Sequence, residues 1–220
     1  MSATAIQVQA ASRLHFGLFA FGRTASDERN YGGVGMMCAE PRLRIRFSPS
    51  DEFRVNGPLE NRALAFATKW AQSVGRKLPN CKIAITEAPP EHAGFGLGTQ
   101  LGLSIVAGLN AFFGLPAMDA EQLAQVAGRG KRSAVGVYGF LHGGFIVEEG
   151  KLPGETLSPL QQREVIPESW RIVLLRPSGC GLSGSTEQST FLKLPPVDPQ
   201  TSTRLREEVT YSMLPALEAA

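Results

Sequence analysis

Apolar and polar residues alternate along TAIQVQA at 4–10, the period of a half-buried strand, and RLHFGLFAF at 13–21 predicts a second strand. The alternation is cleanest in PRLRIRFSP at 41–49, with Leu43, Ile45 and Phe47 on one face and Arg42, Arg44 and Arg46 on the other. EFRVNG at 52–57 is expected to pair with it through a Pro49-Ser50-Asp51 turn. The period then changes. Ala63, Phe66, Ala67, Trp70 and Val74 fall at helical spacing, with Gly75 placed to stop the helix. CKIAITEA at 81–88 returns to a strand, and Leu101, Ile105, Leu109 and Phe112 mark a second helix. DAEQLAQVAG at 119–128 predicts a short helix capped by Asp119. GGFIVEEGK at 143–151 and WRIVLLRPSG at 170–179 read as strands, and residues 202–217 as a helix. Between the last two strands, residues 152–169 carry three prolines and read as a connection, and residues 22–35 read as a loop rich in turn formers.

Strands and helices in mixed order predict an α+β fold rather than strict βαβ alternation. A domain is expected over residues 1–169 and the beginning of a second over 170–220. About fifty residues are too few for a typical core, so the second part either packs on the first or belongs to something longer. Composition narrows the picture. The 220 residues are 43% hydrophobic and 19% charged, with a net charge of +2, which gives no bulk support for nucleic-acid binding. Three widely spaced cysteines, Cys38, Cys81 and Cys180, fit buried residues in a reducing cytosol better than a disulfide scaffold. The first residues lack a basic start and a continuous apolar core, and no run approaches the roughly 20 apolar residues of a membrane span. A cytoplasmic protein with no membrane partner is expected.

The candidate chemistry begins at PPEHAGFGLGTQLGLSIVAGLN, residues 89–110. A strand, a loop holding Gly94, Gly96 and Gly98, and a helix follow one another. Unpaired N–H groups at a helix start, approached through glycines, suit a phosphate; a plain tight turn is the alternative. No Gly-Lys-Ser/Thr follows, so this is not a Walker A loop, and the spacing misses the dinucleotide fingerprint. GRGKRSAVGVYGFLHGGF at 128–145 sets Arg129, Lys131 and Arg132 among glycines and ends near His142. NYGGVG at 30–35 is a further glycine-rich turn, and Arg13 and His15 share one strand face.

PPEHAGFGLGTQ resembles the phosphate loop P-x-x-x-G-L-G-S-S-A of the GHMP kinase superfamily, with Pro90 at the proline and Gly94-Phe95-Gly96 at G-L-G. The two serines fall on Leu97 and Gly98. A second kinase pattern, S-G-x-D-x-x-x-x-x-x-G-G, places its serine on Ser133, its closing glycines on Gly143 and Gly144, and its aspartate on Gly136. One branch fits better. SRLHFGLFAFG, NYGGVGMMCAEP, PEHAGFGLGTQLGL, GRGKRSAVGVYGFLHGGF and GLSGSTEQSTFLKLPP together resemble the beta-ribofuranosylaminobenzene 5′-phosphate synthase family, from Arg13 to about Pro196. Leu97, where that family has serine, and a chain shorter than its members are the departures.

That resemblance implies a ribosomal protein S5 domain 2-like N-terminal domain and the start of a ferredoxin-like second domain. It implies joining phosphoribosyl pyrophosphate to 4-aminobenzoate or 4-hydroxybenzoate, with loss of pyrophosphate and carbon dioxide, in tetrahydromethanopterin biosynthesis. Mg²⁺, with no ligand assigned, and a homodimer are expected. Arg13, His15, Arg132 and His142 are the implied catalytic residues. Tyr31, Gly32, Gly33, Gly94, Phe95, Gly96, Leu97, Gly98, Thr99, Gln100, Arg129, Gly130, Ser133, Ser183 and Glu187 are the implied phosphate and substrate contacts. For Tyr31 and Phe95, packing competes with stacking on the arene. For Ser183 and Glu187, a helix cap competes with a ligand role. A small-molecule kinase and a non-catalytic phosphometabolite-binding relative are the alternatives.

Overall fold

A computed structural model describes residues 5–22, 25–175, 189–191 and 193–220. Its spine is the long strand β2 (Tyr31–Pro49), along which β1 (Ile6–Ala20) runs antiparallel from Ile6↔Phe47 to Ala20↔Tyr31. The other edge of β2 is shared. Its C-terminal half pairs with β4 (Cys81–Glu87), and its N-terminal half pairs with β5 (Phe145–Glu148), both antiparallel. β3 (Arg54–Asn56) lies outside β4 and β6 (Leu160–Glu164) outside β5, which completes a six-stranded sheet.

Helices α1 (Glu60–Ser73), α2 (Leu97–Phe112), α3 (Ala120–Ala127) and α4 (Val135–His142) cover one face. The strand alternation explains why: Leu43, Ile45 and Phe47 are buried beneath the helices, while Arg42, Arg44 and Arg46 point away. The apolar stripe of α1 puts Ala63, Phe66, Ala67 and Trp70 into the same core. Each large side chain buried there contributes roughly 1.5–3 kcal/mol relative to exposure. The indole of Trp70 donates to Asn110 Oδ1 at 2.7 Å, so its one polar atom is not stranded. α3 begins with a capping box between Asp119 and Gln122.

Helices α5 (Pro199–Glu208) and α6 (Leu214–Glu218), joined by a π-helical turn (Val209–Met213), cover part of the opposite face. Val209 and Leu214 pack there with Phe19, Val34, Met36, Phe145 and Val147. The Ser202 hydroxyl donates to the carbonyl of Phe19 at 2.6 Å.

Several local expectations are corrected. The two N-terminal strands are one strand that continues through bulges at Ala10/Ser12 and His15/Gly17. Residues 31–35 belong to β2, not to a loop. β3 pairs in parallel with β4 through the crossover helix α1, because the turn after β2 turns the chain past β4 instead of back along β2. The proline-rich connection contains β6, whose Arg163 and Glu164 register with Ile146 and Phe145. Residues 170–175 form no strand pairing; Trp170, Val173 and Leu175 are exposed. The rest of that expected strand lies outside the described residues. Among the described residues no helix is long and apolar enough to cross a membrane.

Candidate active site

β4 ends at Glu87, and the chain turns through the glycine loop into α2. Gly96 occupies the N-cap of α2 in the left-handed region (φ 67°) and offers no capping side chain. A helix usually begins with Ser, Thr, Asp or Asn, whose oxygen takes a first-turn N–H. Here the backbone of Gly96 takes Thr99 N and Gln100 N through its carbonyl, and the helix start keeps its positive end open.

Three arginines from three separate segments close around this point. A Cβ on Gly96 would stand 3.1 Å from Arg13 Nε, and one on Gly98 would stand 2.6 Å from Arg62 Nη2 and 3.4 Å from Arg129 Nη2. The missing side chains are thus what lets the guanidinium groups approach the loop backbone. The Arg13 amide donates to Phe95 O at 2.9 Å, which fixes β1 to the loop. Arg62 is paired with Glu91 at 2.6 Å. Arg129 lies over the ring of Phe66 at 5.0 Å, as does Lys69 Nζ at 5.6 Å, and Arg129 forms no ion pair among the described residues. Burial, and then the charge of Arg62, make the Arg129 cation less favourable than usual. Two like charges held together beside an uncapped helix start make a site that an anion relieves.

A second polar group adjoins it. His15 Nε2 lies 3.1 Å from Ser133 Oγ, and Ser133 Oγ accepts Val135 N at 3.3 Å. The Ala134 amide donates to Glu148 Oε2 at 2.7 Å, and the Glu148 side chain is completely buried. Burial pushes the Glu148 carboxyl up, while the Ser133 and Ser158 hydroxyls and the amides of Ala134 and Val135 pull the other way. Burial, and secondarily Arg13, lower His15 to about 4. His15 is therefore a neutral imidazole near pH 7 and supplies no charge to a carboxylate; among the two N-terminal candidates, Arg13 is the cation.

Of the residues singled out in the sequence, Arg13, Gly96, Gly98, Thr99 and Arg129 come together, with His15 near Arg13 and Ser133 in contact with His15. A Cβ on Gly136 would stand 3.2 Å from Thr99 Cγ2 and 3.4 Å from Arg13 Cδ, so the place of the kinase aspartate does face this site. Gln100 is buried and donates to Gly136 O at 2.9 Å, tying α2 to α4. Leu97 and Phe95 turn into the interior, which removes Phe95 from stacking on a ligand and leaves Leu97 only its backbone. Arg132 lies over the ring of Phe191 at 4.5 Å.

Other candidates sit elsewhere. His142 ends α4, at the opposite end from Ser133, and its carbonyl accepts from Arg163 at 2.8 Å. Tyr31 pairs with Ala20 at the far end of β1, seven residues from Arg13, or about 23 Å of strand. Gly32 and Gly33 are explained by packing: added Cβ atoms would stand 2.7 Å from Glu149 O and 2.2 Å from Gly17 O. Gly130 lies against Leu157, where a Cβ would stand 2.5 Å from Cδ1. Ser183 and Glu187 lie outside the described residues. Arg62 and Glu148 were missed. The signal for Arg62 was the helical face it shares with Phe66 and Lys69; nothing in the sequence marks Glu148, a lone acid in a short strand.

Residues 61–144 match the GHMP kinases N terminal domain family. The beta-ribofuranosylphenol 5′-phosphate synthase of Archaeoglobus fulgidus is 30% identical over 229 residues, spanning 98% of this chain and 71% of that protein. The enzyme of the same name from Methanothermobacter thermautotrophicus is 28% identical, spanning 96% and 70%. Among solved structures, the phosphomevalonate kinase of Streptococcus pneumoniae superposes with a TM-score of 0.61 at 16% identity, covering 98% of this chain and 73% of its own, which establishes a shared fold. The chain belongs to the beta-ribofuranosylphenol 5′-phosphate synthase family of enzymes, built on the GHMP kinase fold.

Proposed function

We propose that the chain condenses phosphoribosyl pyrophosphate with 4-hydroxybenzoate, or its 4-amino counterpart, as a step toward tetrahydromethanopterin. The relatives are named for a ribosylated phenol, which favours the hydroxy acid as acceptor. The observation that carries this reading is the convergence of Arg13, Arg62 and Arg129 on the glycine-lined start of α2. In the reaction the C1–oxygen bond of the ribosyl donor breaks, and pyrophosphate leaves with the electron pair. Fixed cations and helix N–H groups lower the cost of that developing charge without reorganising. The ring carbon bearing the carboxylate bonds to C1. The carbon–carboxylate bond then breaks, and its electron pair restores the aromatic ring as carbon dioxide departs. No ring proton is removed, so the step needs no carboxylate base, which agrees with glycine at 136. Arg13 is the group best placed to hold the acceptor's carboxylate.

Among the described residues no three His, Cys, Asp or Glu side chains gather to hold an ion. Mg²⁺ in this reading would accompany the substrate and would supply charge neutralisation to the leaving pyrophosphate.

A kinase reading would need a base or an acceptor-orienting group, and the position that faces the site is Gly136. Calorimetric titration with phosphoribosyl pyrophosphate and with ATP, each with Mg²⁺, separates the two. Phosphoribosyl pyrophosphate is expected to bind in preference, with carbon dioxide released from carboxyl-labelled 4-hydroxybenzoate. Arg129→Ala is expected to weaken that binding about 10- to 100-fold, the loss of one charge-assisted contact. Preference for ATP, or unchanged affinity in the variant, would overturn the reading.

A further inference from the structure

The cations of the candidate site extend past the glycine loop. On α1, Arg62, Phe66 and Lys69 stand at i, i+4 and i+7, one face of the helix. Seven residues at the helical rise separate Arg62 from Lys69 by about 10 Å along the axis. Gly98 and Gly102, one turn apart on α2, meet that face. A Cβ on Gly98 would stand 2.6 Å from Arg62 Nη2, and one on Gly102 2.8 Å from the ring of Phe66.

Lys69 marks the other end of the row. Its Nζ lies 5.6 Å from the Phe66 ring centroid, and a Cβ on Gly128 would stand 3.1 Å from it. Arg129 bridges the two ends. Its amide donates to Ala124 O at 2.8 Å, and its guanidinium lies 5.0 Å from the same ring centroid. Its Nη2 would stand 3.4 Å from a Cβ on Gly98. Arg129 Nε is out of water and has no hydrogen-bond partner among the described residues. Three cations thus border one buried ring, and Glu91, on Arg62, is the one acid paired with them among the described residues. Lys69 is exposed, which leaves its ammonium open to a ligand. Like charges set in a row repel unless an anion lies along them. A ribose that carries phosphoryl groups on C1 and C5 has two anionic ends separated by the sugar, as the ends of this row are separated by Phe66.

We propose that Lys69 and Arg129 form a second phosphoryl subsite, which holds the 5′-phosphate of the ribosyl donor while Arg13, Arg62 and the start of α2 hold its pyrophosphate. This subsite rests on the function proposed above. Lys69 is a binding residue. It acts on the end of the donor where no bond changes, so it stabilises ground state and transition state alike.

Calorimetry on the full chain with two half-ligands, ribose 5-phosphate and inorganic pyrophosphate with Mg²⁺, tests the subsite. Lys69→Gln removes the charge and keeps a polar side chain. It is expected to weaken ribose 5-phosphate about 10-fold, the scale of a lost contact to an ion, and to leave pyrophosphate affinity unchanged. Lys69→Arg is expected to keep most of the ribose 5-phosphate affinity. In the condensation assay, Lys69→Gln should raise the KM for phosphoribosyl pyrophosphate about 10-fold at unchanged kcat. Equal weakening of both half-ligands, or of neither, would overturn the subsite. So would a lower melting temperature with unchanged affinity, the result of a lysine that serves only the end of α3. A wild-type chain with no condensation activity would sink the proposed function. The subsite would then stand if ribose 5-phosphate still bound in a Lys69-dependent way, and fall if it did not.

Discussion

Two glycine-rich stretches, residues 32–35 and 94–98, look alike in sequence and do opposite things in the fold. In β2 the glycines are dictated by backbone. A Cβ on Gly33 would stand 2.2 Å from Gly17 O, and one on Gly35 2.3 Å from Leu14 O. These positions let β1 and β2 run close together. In the loop before α2, the space beside Gly96 is taken by the Arg13 side chain from its Cβ to its Nε, that beside Gly98 by the guanidinium ends of Arg62 and Arg129, and nothing lies within 4 Å of a Cβ on Gly94. Under the proposed function, that is where the pyrophosphate of the donor would sit. Glycine content alone therefore does not locate a binding site; what surrounds the absent side chain does.

Three substitutions sharpen the contrast. Gly33→Ala has the largest expected effect. The clash is with backbone that cannot move without breaking the sheet, so a loss on the order of 3 kcal/mol or more is expected, seen as an unfolded or strongly destabilised chain by thermal melting. Gly98→Ala is expected to change stability little, because Gly98 lies in the first turn of α2 and the added Cβ meets only the movable ends of Arg62 and Arg129. It should nonetheless weaken phosphoribosyl pyrophosphate binding about 10-fold by displacing Arg62, which calorimetry would register. Equal loss of stability in the two variants would erase the distinction.

The smallest effect concerns His15, on the strand that joins the two stretches by pairing with Gly35. Its folded value of about 4 lies below the usual 6.5, so between those values the unfolded chain binds the extra proton. Stability is expected to be level above pH 6.5 and to fall as pH drops toward 4 on this account. His15→Asn should flatten that part of the profile, measured as the wild-type-minus-variant difference in urea midpoint at pH 7 and pH 4.5. A difference independent of pH would mean that the imidazole is not held neutral by the fold.

Much of the fold was legible because its signals are local. The alternation at 41–49 and the stripe from Ala63 to Trp70 each report burial on one face, and the structure buries those faces. Pairing partners were not legible. Nothing in EFRVNG says that β3 will skip β2 and join β4, since that depends on where α1 returns the chain. α4 was hidden because Gly136 and Gly139 suppress helical propensity. Gly139 is instead required by closeness to Met37, where a Cβ would stand 2.3 Å from the sulfur. At the candidate site, the glycine loop, Arg13 and Arg129 carried family-like motifs, whereas Arg62 and Glu148 depend on tertiary approach from α1 and β5. Tyr31 and His142 read as part of the site only because sequence proximity to glycines was taken for spatial proximity.

The bond from Ser202 to the carbonyl of Phe19 joins positions 183 residues apart. Such a contact can close only after residue 202 has left the ribosome. Until then Phe19, Val34, Met36, Phe145 and Val147 present a greasy surface with nothing over it. The sheet and its four helices are complete by Glu164, and among the described residues this second face is covered only by helices that follow them in the chain. Until those helices are made, the face they cover is an apolar surface that must be kept from non-specific association.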